Sequence, residues 1–358
     1  PYVSNVVIGD PIQGQAMISG WHKTAGIIIA LTAPFLGAAT DRMGRRKPLL
    51  AAFTLALALT IIVQWWALPG GQGLPMWALG LAVTASGIAF VYTEVLHNAM
   101  LTRAAHPQVL SQVSGMGLAL GNAGSVLLLV FVLVTMALPG QVPLPFIPDA
   151  PLFGLDPAKF EPSRVVTVLC AVWLIIFAIP LFLYTPDLIT TGERFGDAMK
   201  HGVGNVVRTL RKLGEYRNVA LFLIARMLYA DGKTAILIFS GIYAAGTMGW
   251  GLIEMLSYGI ILSIFAVLGG VVGGWLDHTI GPKRAVVVEI GVTFMCLIAM
   301  VSMTATSMLF FIPVDPNAVV WNAPMFNTMP ELAYLGFAII IAISITAAYA
   351  SSRTLMAR

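Results

Sequence analysis

Gly37-Ala38-Ala39-Thr40-Asp41-Arg42-Met43-Gly44-Arg45-Arg46-Lys47 and Gly273-Gly274-Trp275-Leu276-Asp277-His278-Thr279-Ile280-Gly281-Pro282-Lys283-Arg284 are two versions of one pattern. Each reads Gly-x-x-x-Asp, then a glycine, then a basic cluster, in a short break between long apolar stretches. The leading glycine allows two helices to approach closely. The aspartate falls at a helix C-terminal end, where the dipole disfavours negative charge. It therefore wants a cationic or helix-N-terminal partner from a neighbouring helix. Such a contact can form in one conformation and break in another. Gly37, Asp41, Arg42, Gly44, Arg45, Arg46, Gly273, Asp277, Gly281, Lys283 and Arg284 are the expected members of a gate. The alternative is that the basic clusters only fix topology. Two copies in equivalent positions favour the gate and predict two similar halves.

The surrounding composition sets the environment. Of 358 residues, 58% are hydrophobic and 10% charged, where soluble domains carry roughly 25% charged residues. So few charges cannot cover a water-exposed surface. The chain is therefore read as an all-α polytopic membrane protein, and soluble enzymes are excluded. The net charge of +4 reflects loops that set orientation rather than a nucleic-acid face. Cys170 and Cys296 stand in apolar runs and read as small core residues.

At about 20 apolar residues per crossing, nine spans are expected, near 16–39, 49–69, 75–101, 111–138, 165–185, 218–243, 249–276, 285–312 and 331–352. Fifteen of the 20 Lys and Arg residues then fall on one side, which the positive-inside rule makes cytoplasmic. Only Lys159 and Arg164 fall opposite, beside Asp10, Asp149, Asp156, Glu161, Asp315 and Glu331. In the long connection 186–217, Phe195, Met199, Val203, Val206, Leu210 and Leu213 recur every three or four residues. Lys200, Arg208, Arg211 and Lys212 are available for the wet face of that helix. The expectation is an interfacial helix joining the halves, with an ordinary soluble linker helix as the alternative.

The paired loops resemble the cytoplasmic signature of the major facilitator superfamily, found between helices 2 and 3 and again between 8 and 9. That resemblance implies twelve helices in two six-helix bundles that rock about a central site, the plan of secondary transporters. The nine spans become helices 2 to 10. The expected organisation is an N-terminal bundle 1–185, a linker 186–217 and a C-terminal bundle 218–358. With equal halves, most of helix 1, roughly 20 residues, lies before Pro1, and helices 11 and 12, roughly 60 residues, lie after Arg358. Leu96-His97-Asn98-Ala99, Ser114-Gly115-Met116-Gly117-Leu118-Ala119-Leu120-Gly121, Leu228-Tyr229-Ala230-Asp231-Gly232 and Ser351-Ser352-Arg353 are similar to one subgroup. It is the bacterial branch related to the vacuolar amino-acid effluxers of autophagy. His97, Ala230 and Tyr349 depart from its pattern of tyrosine, asparagine and glutamine.

Charges within spans need a partner or a job. Asp231 lies thirteen residues into its span, roughly 20 Å by helical rise. Arg226, Tyr229, Gly232 and Lys233 surround it. It is expected to bind substrate or a coupling proton, the alternative being a permanent salt bridge. Glu94 is also near mid-membrane, with His97 and Asn98 on the same helix face. A carboxylate beside a histidine can pass protons, or the three can form a satisfied packing cluster. The superfamily resemblance puts both acids on cavity-lining helices. Lys23 is expected to snorkel and Glu254 to be structural. Gly115, Gly117, Gly121 and Gly124 follow no strand, so they read as helix packing through Gly117-x-x-x-Gly121, not as a nucleotide loop. Gly269, Gly270, Gly273 and Gly274 read likewise.

The expected function is a secondary active transporter moving a small polar solute, an amino acid among the options, by alternating access with proton coupling. The site residues would be Asp231, Glu94, Arg226, Lys233, His97, Asn98 and Tyr349. A sugar–cation symporter and a non-transporting assembly or pigment-handling relative are the alternatives. Neither metal nor cofactor nor nucleic-acid partner is expected. The chain is placed as a monomer in a bacterial inner membrane.

Overall fold

The computed structural model describes residues 2–106, 108–140, 147–187, 189, 191–192, 196–198, 202, 204, 207–208, 211, 217–248, 250, 252–304, 306–310, 312–315, 318–321 and 325–357. Among these, helix dominates: α1 (Pro11–Met43), α2 (Lys47–Val63), α3 (Met76–Ala104), α4 (Leu110–Val132), α5 (Glu161–Tyr184), α6 (Arg217–Met248), α7 (Leu252–Ile280), α8 (Pro282–Val301) and α9 (Met329–Ala357). The chain forms two compact units. One contains residues 1–104 and 131–215, the other 105–130 and 216–358. Most of α4 thus belongs to the second unit.

Among the described residues, eight helices are long and apolar enough to cross a membrane. With their all-helical architecture they make this an all-α polytopic membrane protein. The remaining expected span, 218–243, is a continuous helix of 32 residues, α6. Arg226, Asp231 and Lys233 fall close together in it, whereas each of the other eight holds an 18-residue apolar stretch with at most two charges. The expected span 285–312 is corrected at its end. α8 stops at Val301, and a small hairpin follows, β1 (Ser307–Met308) antiparallel to β2 (Ile312–Pro313). The Thr304 hydroxyl accepts from the Ser307 amide at 3.0 Å, and Leu309 and Phe310 take positive φ in the turn. Side-chain bonding of this kind competes with helix continuation. The apolar stripe of the linker, Phe195, Met199, Val203, Val206, Leu210 and Leu213, with Lys200 and Lys212, lies outside the described residues.

In the first unit α3 packs on α1 and α2, and α5 packs on α2. In the second, α9 packs along both α7 and α8. That core is aromatic at one end, where Trp250 stacks edge-on against Phe326 and Tyr334. Glu331 organises the start of α9. Its carboxylate accepts from the Thr328 amide at 3.0 Å and from the Trp250 indole at 2.9 Å. This is a capping box tied to the core by a tryptophan.

Glycines let α4 and α7 meet backbone to backbone. A Cβ on Gly270 would lie 2.7 Å from the Ala119 nitrogen, and one on Gly115 would lie 2.9 Å from the Gly274 Cα. Gly269 and Gly273 serve the α7–α9 contact in the same way. The expected Gly117-x-x-x-Gly121 face is corrected, because among the described residues a Cβ at either position meets nothing within 4 Å. Gly115 and Ala119 are the contact residues instead, two positions round the helix. Ser114 and Asn122 add bonds to the Ala350 and Ala266 carbonyls.

Candidate functional site

The first Gly-x-x-x-Asp loop is built by three segments of one unit. α1 ends at Met43, and Gly44 reverses the chain at φ +78°. The space a Gly44 Cβ would need is filled by the Ile189 carbonyl, so only glycine fits. Asp41 pairs with Arg46 at 2.6 Å, and Arg46 also donates to the Ala99 carbonyl of α3 at 2.7 Å. Asp187 then receives the Arg46 and Lys47 amides on its two carboxylate oxygens, at 3.0 and 3.1 Å. It caps the N-terminus of α2 from a distant point in the sequence, with the dipole favouring its charge. Lys47 donates to the Phe182 carbonyl at 2.8 Å, and the Thr191 hydroxyl to that of Arg42 at 2.7 Å. The segment after α5 therefore clamps the α1–α2 loop.

The second loop is built differently. Asp277 is buried at 2% exposure, where the side chain of Asp41 is 69% exposed. Gly273 lies against the Ala347 backbone, and Gly281, at φ +83°, leads into α8. Lys283 and Arg284 are exposed. His278 pairs with Gln112 of α4 at 3.0 Å.

The α6–α9 contact gathers several of the expected site residues. Arg226 donates to the Ser352 hydroxyl. Its guanidinium lies 5.4 Å from the Tyr349 ring centroid and 5.8 Å from that of Tyr229. The Lys233 ammonium lies 4.5 Å from the same Tyr349 centroid, and Arg353 lies 5.9 Å from it. Tyr229 donates to the Ile345 carbonyl at 3.1 Å. Arg226, Tyr229 and Lys233 share one stripe of α6 by helical spacing. Asp231 does not join them. It stands roughly 140° round the helix from Arg226, is exposed, and has no hydrogen-bond or ion-pair partner among the described residues. Glu94 and Asn98 are half-buried on α3 and His97 is exposed, all in the other unit.

Three site residues escaped the reading of the sequence. Asp187 was legible as an acid just past a helix-ending Pro186. Glu289 sits five residues into an expected span, where any charge calls for an explanation. It is 3% exposed on α8, and the Ser351 hydroxyl donates to its Oε1 at 3.0 Å. Its Oε2 has no hydrogen-bond partner among the described residues. Arg353 became informative only once α9 was placed beside α6. Among the described residues no three His, Cys, Asp or Glu side chains converge on a metal position.

Membrane-length apolar helices, a repeated Gly-x-x-x-Asp loop and a charged helix pair define a polytopic helical membrane protein. The chain belongs to the family described as Vacuole effluxer Atg22 like, whose profile matches residues 24–358. It is also 24% identical over 289 residues to an uncharacterized MFS-type transporter, YxiO, of Bacillus subtilis (strain 168). That match covers 78% of this chain and 61% of the relative, so the chain spans about three fifths of the relative's length.

Proposed function

We propose that this protein is a secondary active transporter that moves a small polar solute by alternating access. The observation that carries the reading is Asp231. It is an exposed carboxylate in the middle of a 32-residue helix, turned away from the basic cluster and lacking any partner among the described residues. A charge facing lipid at that depth costs about 2.5–3.5 kcal/mol on insertion scales. A charge facing a water-filled solute path does not. Family membership and the transporter relative support the same reading.

On this account Asp231 and Glu94 carry coupling protons, with His97 and Asn98 beside Glu94. The Asp41 and Asp277 loops control closure on the basic side, which faces the cytoplasm of a bacterial inner membrane. The working unit is a monomer. The test is uptake of radiolabelled amino acids into proteoliposomes of the full-length protein under an imposed proton gradient. Asp231→Asn abolishes gradient-driven accumulation while the protein stays folded. Undiminished, pH-dependent accumulation in that variant rules the coupling role out.

A further inference from the structure

In the first unit, Arg164 is a buried cation without a counter-charge among the described residues. It stands in the first turn of α5 at 7% exposure. Its Nε donates to the Trp65 carbonyl at 2.8 Å and its Nη1 to the Lys159 carbonyl at 3.5 Å. The Trp65 ring centroid lies 4.4 Å from the guanidinium. A guanidinium carries five N–H donors, and each carbonyl takes one. Nη2 has no hydrogen-bond partner among the described residues. The acids nearest in sequence are engaged elsewhere. Glu161 accepts from the Asp156 amide at 2.9 Å, and Asp156 accepts from the Ala158 amide and pairs with Lys159 at 3.7 Å. Burying a charge with no counter-ion is costly, so an anion at this place is favoured.

Level and surroundings identify the anion. α5 has 24 residues, roughly 36 Å by helical rise, against a hydrocarbon core of about 30 Å. Arg164 is roughly 4–5 Å from its start, which is the boundary between hydrocarbon and headgroups. Helical side chains tilt toward the N-terminus, which lifts the guanidinium further toward the headgroups. Trp66 and Phe160 are exposed at this end, and the Tyr2 hydroxyl donates to the Ala67 carbonyl at 2.9 Å. Aromatic residues of this kind gather at the membrane–water interface. Deeper along α5, Val172, Ile175 and Ile179 are exposed and fall within roughly 80° of Arg164 round the helix. A cation at headgroup level above an apolar stripe matches an amphiphile with an anionic head.

We propose that Arg164 holds the phosphate of a membrane phospholipid, whose acyl chain lies along the Val172, Ile175 and Ile179 stripe of α5. Nη2 gives the phosphate oxygens charge-assisted hydrogen bonds. The Trp65 ring and carbonyl hold the guanidinium in position for them.

The test is native mass spectrometry of the full-length protein in detergent. The probes are dioleoyl phosphatidylglycerol, dioleoyl phosphatidylethanolamine, a monogalactosyl diacylglycerol with the same chains, and inorganic phosphate. Either phospholipid binds about tenfold or more tightly than the galactolipid, which has no phosphate. Arg164→Gln removes that preference, and Arg164→Lys keeps part of it. Lys159→Gln, which removes an exposed charge of the same sign, leaves it unchanged. The preference is a ratio within one protein, so a uniformly weakened fold does not mimic its loss. Equal binding of galactolipid and phospholipid by the wild type overturns the proposal without any variant. A preference that Arg164→Gln retains overturns it too. Should Arg164→Gln fail to fold, an undiminished preference in Arg164→Lys does the same. Displacement of the lipid by inorganic phosphate assigns the site to a soluble anion and overturns the lipid as its occupant.

Discussion

Replacing Gly270 by alanine tests the α4–α7 packing directly. The new methyl group would lie 2.7 Å from the Ala119 nitrogen, 2.8 Å from the Gly115 oxygen and 3.0 Å from the Ala119 Cα. All three are backbone atoms, so no side chain can swing aside. Comfortable carbon contacts are about 3.5–4.0 Å, so the helices must separate by about 1 Å. Overpacking of this kind costs about 1–3 kcal/mol. The better helix propensity of alanine returns up to about 1 kcal/mol. The net expectation is a loss of up to about 2 kcal/mol, and of about 1–3 kcal/mol relative to an alanine that meets no neighbour. Gly117→Ala is the matched control, because its Cβ enters open space and only the propensity gain applies. Both variants are compared by reversible unfolding with sodium dodecyl sulfate in mixed micelles. A Gly270→Ala protein as stable as Gly117→Ala would refute the proposed backbone contact.

Other residues make equally specific demands. Asp187→Ala removes the cap on the Arg46 and Lys47 amides and costs about 1 kcal/mol, with faster hydrogen exchange confined to the start of α2. Asp41→Asn breaks an ion pair whose acid is mostly exposed, so stability changes by under about 1 kcal/mol, while the rate of transport in proteoliposomes falls sharply if the loop is a gate. Arg164→Met removes a buried guanidinium that donates to the Trp65 carbonyl at 2.8 Å and stacks 4.4 Å from the Trp65 ring centroid. The expected loss is about 1.5–3 kcal/mol, read as a lower midpoint in the same micelle titration.

The fold was largely legible because bilayer-length apolar runs leave a chain few options. The repeated loops were legible as turns, since Gly44 and Gly281 both take positive φ. Periodicity failed at 302–312, where threonine, proline and side-chain bonding overrode hydropathy to form a hairpin. It failed also at the glycine face, because a run of Gly115, Gly117 and Gly121 offers several stripes. Only the placement of α7 selects the one through Gly115. The site was legible as a set of charges but not as a grouping. Spacing alone separates Asp231 from Arg226 on α6, yet nothing in the sequence shows that Tyr349 gathers Arg226, Lys233 and Arg353. Asp187 reaches Lys47 across a separation no local pattern spans. Glu289 is legible as an acid inside an apolar run, though less central to its span than Asp231 or Glu94.

The central claim is that the Asp231 side of α6 faces water within the membrane. In a background with Cys170 and Cys296 replaced, a single cysteine is placed at Asp231, and a reference cysteine at the exposed Ile176 in the apolar stretch of α5. Both are exposed to a membrane-impermeant maleimide in intact vesicles. Thiols react as thiolates, which form only where water reaches them. The account predicts labelling at position 231, slowed by the transported solute, and little at position 176. Labelling at 231 no faster than at 176 would place Asp231 against lipid and contradict the account.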